Sequence, residues 1–186
     1  IIVALAFIIW DIYFTSISVW GFNEQYLTGI YIYNLPLEEV LFFICIPYAS
    51  IYTYHCLQIF FEIDKPRLTK LITLCLIIIL TLVLLFNFNK WYTGVTFSLT
   101  LLLLIYIYLL NPKWLGVFYL SFAVILVPFL IVNGALTGMF FEIPVVWYND
   151  LENLGIRLVS IPIEDSVYAL LMLLSTTLLF ERLKKR

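Results

Sequence analysis

Long apolar runs broken by short polar punctuation dominate this chain. Six runs stand out, at residues 1–17, 36–61, 69–87, 93–110, 115–139 and 162–183. A helix needs about 20 apolar residues to cross a bilayer core of about 30 Å, so each run is a candidate span. Turn-forming stretches mark the breaks: "EIDKPR" at 62–67, "NFNKW" at 87–91 and "NPKW" at 111–114. Two connections are longer, 18–34 and about 140–161. Both are rich in aromatic and polar residues, as expected of segments folded at a membrane interface. The pattern predicts an all-α integral membrane protein, a helical bundle with six visible transmembrane spans.

Composition points the same way. Of the 186 residues, 64% are hydrophobic and 12% charged, too apolar for a soluble domain. Alternating spans put Lys65, Arg67, Lys70, Lys113, Arg182, Lys184, Lys185 and Arg186 on one side, and Lys90 and Arg157 on the other. The richer side is expected to be cytoplasmic, in a bacterial cytoplasmic membrane, with both long connections outside. The opening run Ile1–Trp10 has neither the basic start nor the small-residue cleavage site of a signal peptide. It predicts a first helix without its start, and seven spans in the full chain. Cys45, Cys56 and Cys75 form no CxxC pair and read as small buried hydrophobes. No basic cluster interleaved with aromatics suggests nucleic acid.

The chain repeats itself. "GIYIYNLPLEEVLFF" at 29–43 aligns with "GIRLVSIPIEDSVYA" at 155–169, so that Gly29, Pro36, Glu38 and Glu39 match Gly155, Pro162, Glu164 and Asp165. Asn23 matches Asn149 in the same register, and Trp20 meets Trp147 after a one-residue gap. Upstream, "WDIYFT" at 10–15 and "VNGALT" at 132–137 hold similar places. Four spans separate the copies, an even number, so the repeat is parallel and both acidic pairs lie at one membrane face. The expected organisation is a first repeat over 1–68, a linking helix over 69–92 and a second repeat over 93–186.

Each acidic pair has a structural reading. Proline and acids suit the first turn of a helix and complement its dipole, with Asn34 and Ser160 as N-caps. Duplication in a membrane protein favours a site instead, because ionisable groups there are costly and face cavities. Neighbouring helical positions point about 100° apart, so one acid of each pair can face inward while the other supports it. Sequence leaves open which one does. Asp11 and Asn133 are further polar residues in apolar company. Each reads equally as a site residue or as a packing hydrogen bond. His55 reads first as a packing residue, and Asp150, Glu152 and Arg157 as solvated loop. Trp10, Trp20, Phe42, Phe43, Trp147, Tyr148 and Tyr168 flank the acids, and aromatic faces beside an acid can shelter a carbocation. No GxGxxG, P-loop or HExxH motif appears, no lysine lies mid-span, and a metal site is not expected.

The paired "PLEE" and "PIED", set in "WGFN…YLTG" and "WYND…NLGIR" contexts, resemble the non-flavin membrane lycopene cyclases, in their fused two-domain form. The resemblance covers nearly the whole chain. It implies cofactor-independent cyclisation of lycopene to β-carotene through γ-carotene, a redox-neutral isomerisation. The substrate would be an apolar carotenoid taken from the bilayer, with room for association with other carotenoid enzymes. The family's motif acids carry over to Glu38, Glu39, Glu164 and Asp165, with Glu38 and Glu164 the first candidates for acid and base. Asp165 stands where the first motif has Glu39, so the two sites need not be equivalent. Rival readings are a cyclase for C50 carotenoids or for ε- or γ-rings, a proton-coupled transporter, and a carotenoid binder without chemistry.

Overall fold

A computed structural model describes residues 1–63, 65–140 and 142–184. Lys185 and Arg186 of the charge count, Asp64 of the "EIDKPR" turn and Phe141 of the second long connection lie outside them. Among the described residues six α-helices follow in order: α1 (Ile2–Ser16), α2 (Leu37–Phe60), α3 (Pro66–Asn87), α4 (Trp91–Leu110), α5 (Leu115–Leu136) and α6 (Ile163–Lys184). The last five are long and apolar enough to cross a membrane, while α1 is shorter. The protein is an all-α membrane bundle. Pro36 before α2 and Pro66 at the start of α3 stand where a missing N–H costs nothing, whereas Pro47 and Pro128 lie inside α2 and α5.

The bundle centres on α6. Half of its apolar stretch is buried (50%), against 17% for α3, which packs at the periphery on α4 and α5. Lipid is as apolar as leucine, so close packing and small residues must hold helices together. Accordingly Thr93, Thr96 and Thr100 of α4 are buried, on the helix that packs most extensively on α6. The same physics corrects the cysteine expectation. Cys45 and Cys75 are exposed and Cys56 is intermediate, because an apolar run in a membrane helix faces lipid as readily as core.

The long connections contain short strands. β1 (Trp20–Phe22) pairs antiparallel with β4 (Val146–Tyr148), joining the two connections across the molecule. β2 (Tyr31–Ile32) pairs with β3 (Leu35–Pro36), and β5 (Arg157–Leu158) with β6 (Ile161–Pro162), as hairpins leading into α2 and α6. Corresponding bonds recur in each copy: Leu37 N–H donates to Ile30 O at 2.8 Å and Ile163 N–H to Ile156 O at 3.0 Å. Side-chain oxygens of Asn23 and Asn149 each accept the backbone N–H two residues on, both at 3.1 Å.

The hairpin turns carry matched strain. Tyr33 and Val159 hold φ of 58° and 62°, a region that disfavours β-branched side chains. Gly29 and Gly155 hold φ of 80° and 71° with open space around a would-be Cβ. Gly155→Ala should therefore cost about 1–2 kcal/mol by backbone strain alone. Val159→Gly should recover about 1 kcal/mol. Thermal melts in detergent check both, and a lower Tm for Val159→Gly would contradict the assignment of strain.

Asn34 and Ser160 do not cap α2 and α6, whose first turns follow extended Pro36 and the β6 proline. They tie each hairpin to the end of a neighbouring helix instead. Asn34 Nδ2 donates to Ile12 O at 2.9 Å, and Ser160 Oγ lies 2.8 Å from Thr137 Oγ1.

Candidate active site

At the end of the bundle where α1 and α5 finish and α2, α4 and α6 begin, side chains converge on a cavity of about 70 Å³. Asp11, Glu39 and Asp165 line it, with Asn133 and a wall that includes Trp20, Phe42, Phe43, Tyr92, Tyr148 and Tyr168. Glu39 and Asp165 are matched positions of the two motifs, and so are Phe42 and Tyr168, each 126 residues apart. Asp11 and Asn133, placed in parallel by the looser upstream match, also meet here. The cavity thus draws one wall from each copy.

The other member of each pair points away, into its own loop. Glu38 Oε1 accepts the Thr28 N–H at 2.8 Å, and Glu164 Oε1 accepts the Leu154 N–H at 2.7 Å, again 126 residues apart. Glu164 is fully buried and also accepts from Thr93 Oγ1 at 2.7 Å. These two acids fasten the connecting loops to the helix starts.

The three cavity acids have unequal surroundings. Asp165 accepts three hydrogen bonds, from Tyr92 Oη at 2.6 Å, Tyr148 Oη at 2.9 Å and Asn133 Nδ2 at 3.0 Å. Asp11 accepts one, from the Trp20 indole N–H, and its other oxygen is buried without a partner among the described residues. Glu39 accepts none among the described residues. Burial, followed by the nearby Asp165 carboxylate, pushes the Tyr148 hydroxyl well above the usual phenol range, so it remains a donor at physiological pH. Trp20→Phe deletes the hydrogen-bond donor to Asp11 and should cost about 1–3 kcal/mol, read as a lower Tm in detergent. An unchanged Tm would mean that Asp11 finds another donor.

Besides Glu38 and Glu164, two aromatic candidates, Trp147 and Trp10, lie outside the cavity. Trp147 is 42% exposed, and its ring covers Gly21, where an added Cβ would come within 2.4 Å of it. The strand pairing sets Tyr148, not Trp147, opposite Trp20, and alternation along the strand then turns Trp147 away. Trp10 stands behind the wall, its ring 5.1 Å from that of Tyr168. Conversely, Tyr92, Phe22 and Phe129 line the cavity unforeseen. Tyr92 carries no motif; as an aromatic at the start of an apolar helix it resembles the ordinary interface belt.

The loop acids are engaged as well. Arg157 pairs with Asp150 at 2.5 Å and lies over the Tyr148 ring. Glu152 accepts the Trp91 N–H at 3.0 Å, at the positive end of α4. His55 is exposed at the far end of α2, its ring 6.5 Å from that of Phe180.

A family model described as Lycopene cyclase matches residues 1–57 and 89–183. No curated protein and no solved structure matches the chain.

Proposed function

The chain belongs to the lycopene cyclase family, and we propose that it is a β-cyclase converting lycopene to β-carotene through γ-carotene, by proton transfer alone. A carboxylic acid protonates the terminal double bond of the substrate. The tertiary cation that forms is attacked by a second double bond of the same chain, and the six-membered ring closes. A carboxylate then removes a proton from the ring. One proton enters and one leaves, so product and substrate are isomers.

The observation that carries this reading is the single cavity in which an acid from each motif meets Asp11 inside an aromatic wall. Three carboxyls in one small space resist joint ionisation, so a proton stays available for donation. Aromatic faces favour the cation that follows. We assign donation to Glu39, which spends no lone pair on the protein. We assign the base that faces the cation and takes the leaving proton to Asp165, at whose oxygens three donors point. Glu38 and Glu164 serve the site by holding its loops.

One cavity lined by both copies supports one site used twice, and with it the reading of the chain as two cyclase repeats joined by α3. Expression in a lycopene-accumulating bacterium, followed by chromatography of the pigments, tests the function. The expected result is β-carotene, with γ-carotene appearing first. The purified protein should do the same with lycopene and no flavin or nicotinamide. Lycopene left unchanged by folded protein would overturn the reading; a different ring type would redirect it to another cyclase.

A further inference from the structure

Behind the acid cavity lies a second space that the chemistry above does not use. It is a furrow of about 620 Å³ between α1 and α4, floored by α6. Its α4 wall is a single stripe, Trp91, Val95, Leu99 and Leu103, at every fourth position. Twelve residues at 1.5 Å rise make that wall about 18 Å long. Among the described residues no charged side chain lines the furrow, and its volume is that of a ligand pocket. At the acid end the rings of Tyr13 and Trp91, 6.3 Å apart, bridge the gap from α1 to α4.

Only one layer of rings separates the furrow from the acids. Trp10 and Phe7 line the furrow and stand 5.1 Å and 5.0 Å from Tyr168, which lines the cavity. Trp10 Nε1 and Tyr168 Oη are both buried without hydrogen-bond partners among the described residues, so packing holds the partition. Rings held only by packing can turn aside when an apolar end group presses between them, with no hydrogen bond to break.

We infer that this furrow seats the extended polyene chain of the substrate, entering from lipid between α1 and α4, so that its end group reaches the acid cavity past Trp10 and Tyr168. The inference rests on the cyclase reading for the identity of the chain. A phospholipid is a poorer occupant, since no cationic side chain waits for a headgroup. The furrow runs along the helix axis, which suits a rod-like hydrocarbon lying among the spans.

The test fills the furrow and leaves the acids alone. Leu99→Trp, and independently Ser175→Leu from the α6 floor, are compared with Leu102→Trp on the lipid-facing side of α4, where Leu102 is 65% exposed. Lycopene binding to protein in nanodiscs is read by quenching of tryptophan fluorescence, and product by chromatography. Both filling variants should raise the half-saturating lycopene concentration by about tenfold or more, with turnover at saturation nearly kept, and Leu102→Trp should change neither. If Leu99→Trp melts early, Ser175→Leu carries the comparison. Wild-type saturation in a folded filling variant would overturn the furrow, as would loss of co-purifying phospholipid with lycopene binding untouched. Binding that depends on the furrow but yields no ring would leave the seat standing and remove the cyclase reading instead.

Discussion

Glu39→Gln should lower ring formation by about 10²–10⁴-fold, the range for losing a general acid, with the fold retained. The amide keeps the shape of the carboxyl and cannot deliver a proton to a carbon. The matched control is its neighbour. Gln at position 38 still offers an oxygen to the Thr28 N–H, so Glu38→Gln should stay close to wild type, whereas Glu38→Ala should loosen the loop and lower the Tm. Product yield from lycopene, normalised to folded protein, separates the two positions. Equal loss at both would mean that the pair acts as a unit. Full activity in Glu39→Gln would remove the donor assigned here.

Asp165→Asn should be equally damaging, for a different reason. Its carboxylate is met by three donors, Tyr92, Tyr148 and Asn133. An asparagine replaces one acceptor oxygen with an NH2 group, so at least one of the three bonds is lost or reversed, and it cannot take a proton from the ring. We expect a loss of about 10²–10⁴-fold in turnover. Tyr92→Phe, Tyr148→Phe and Asn133→Ala each remove one bond to a charged group, about 1.5–3 kcal/mol. Their combination should be non-additive, since the three share one partner. Turnover across this set, set beside Glu164→Gln, distinguishes a catalytic Asp165 from a merely buried one. Glu164→Gln retains acceptors for Leu154 and Thr93 and should keep most activity.

The repeat was legible because it is local. "NLPLEE" and "SIPIED" each encode a hairpin, a proline and an acidic first turn, and identical local chemistry folds twice in the same way. Hence Leu37 and Ile163, Thr28 and Leu154, and Tyr33 and Val159 keep their register in the structure. The helices were equally legible, since a bilayer sets the length of an apolar run. The strands were not. β1 and β4 are three residues each, and they pair only because the folded bundle brings two distant connections together.

Sequence by itself therefore determined the membrane bundle, the duplicated acidic helix starts, and the meeting of acids and aromatics at one end. Which acid of each pair faces the cavity was decided by tertiary structure. Adjacent positions differ by about 100° around a helix, and the rotation of α2 and α6 in the bundle turns Glu39 and Asp165 inward while their neighbours meet backbone donors. The same holds for Tyr92, which belongs to no motif and reaches Asp165 only because α4 packs along α6. Helical period, span length and turn chemistry are carried by neighbours in the chain. The facing of a side chain, and its partner across the bundle, exist only once the helices have packed.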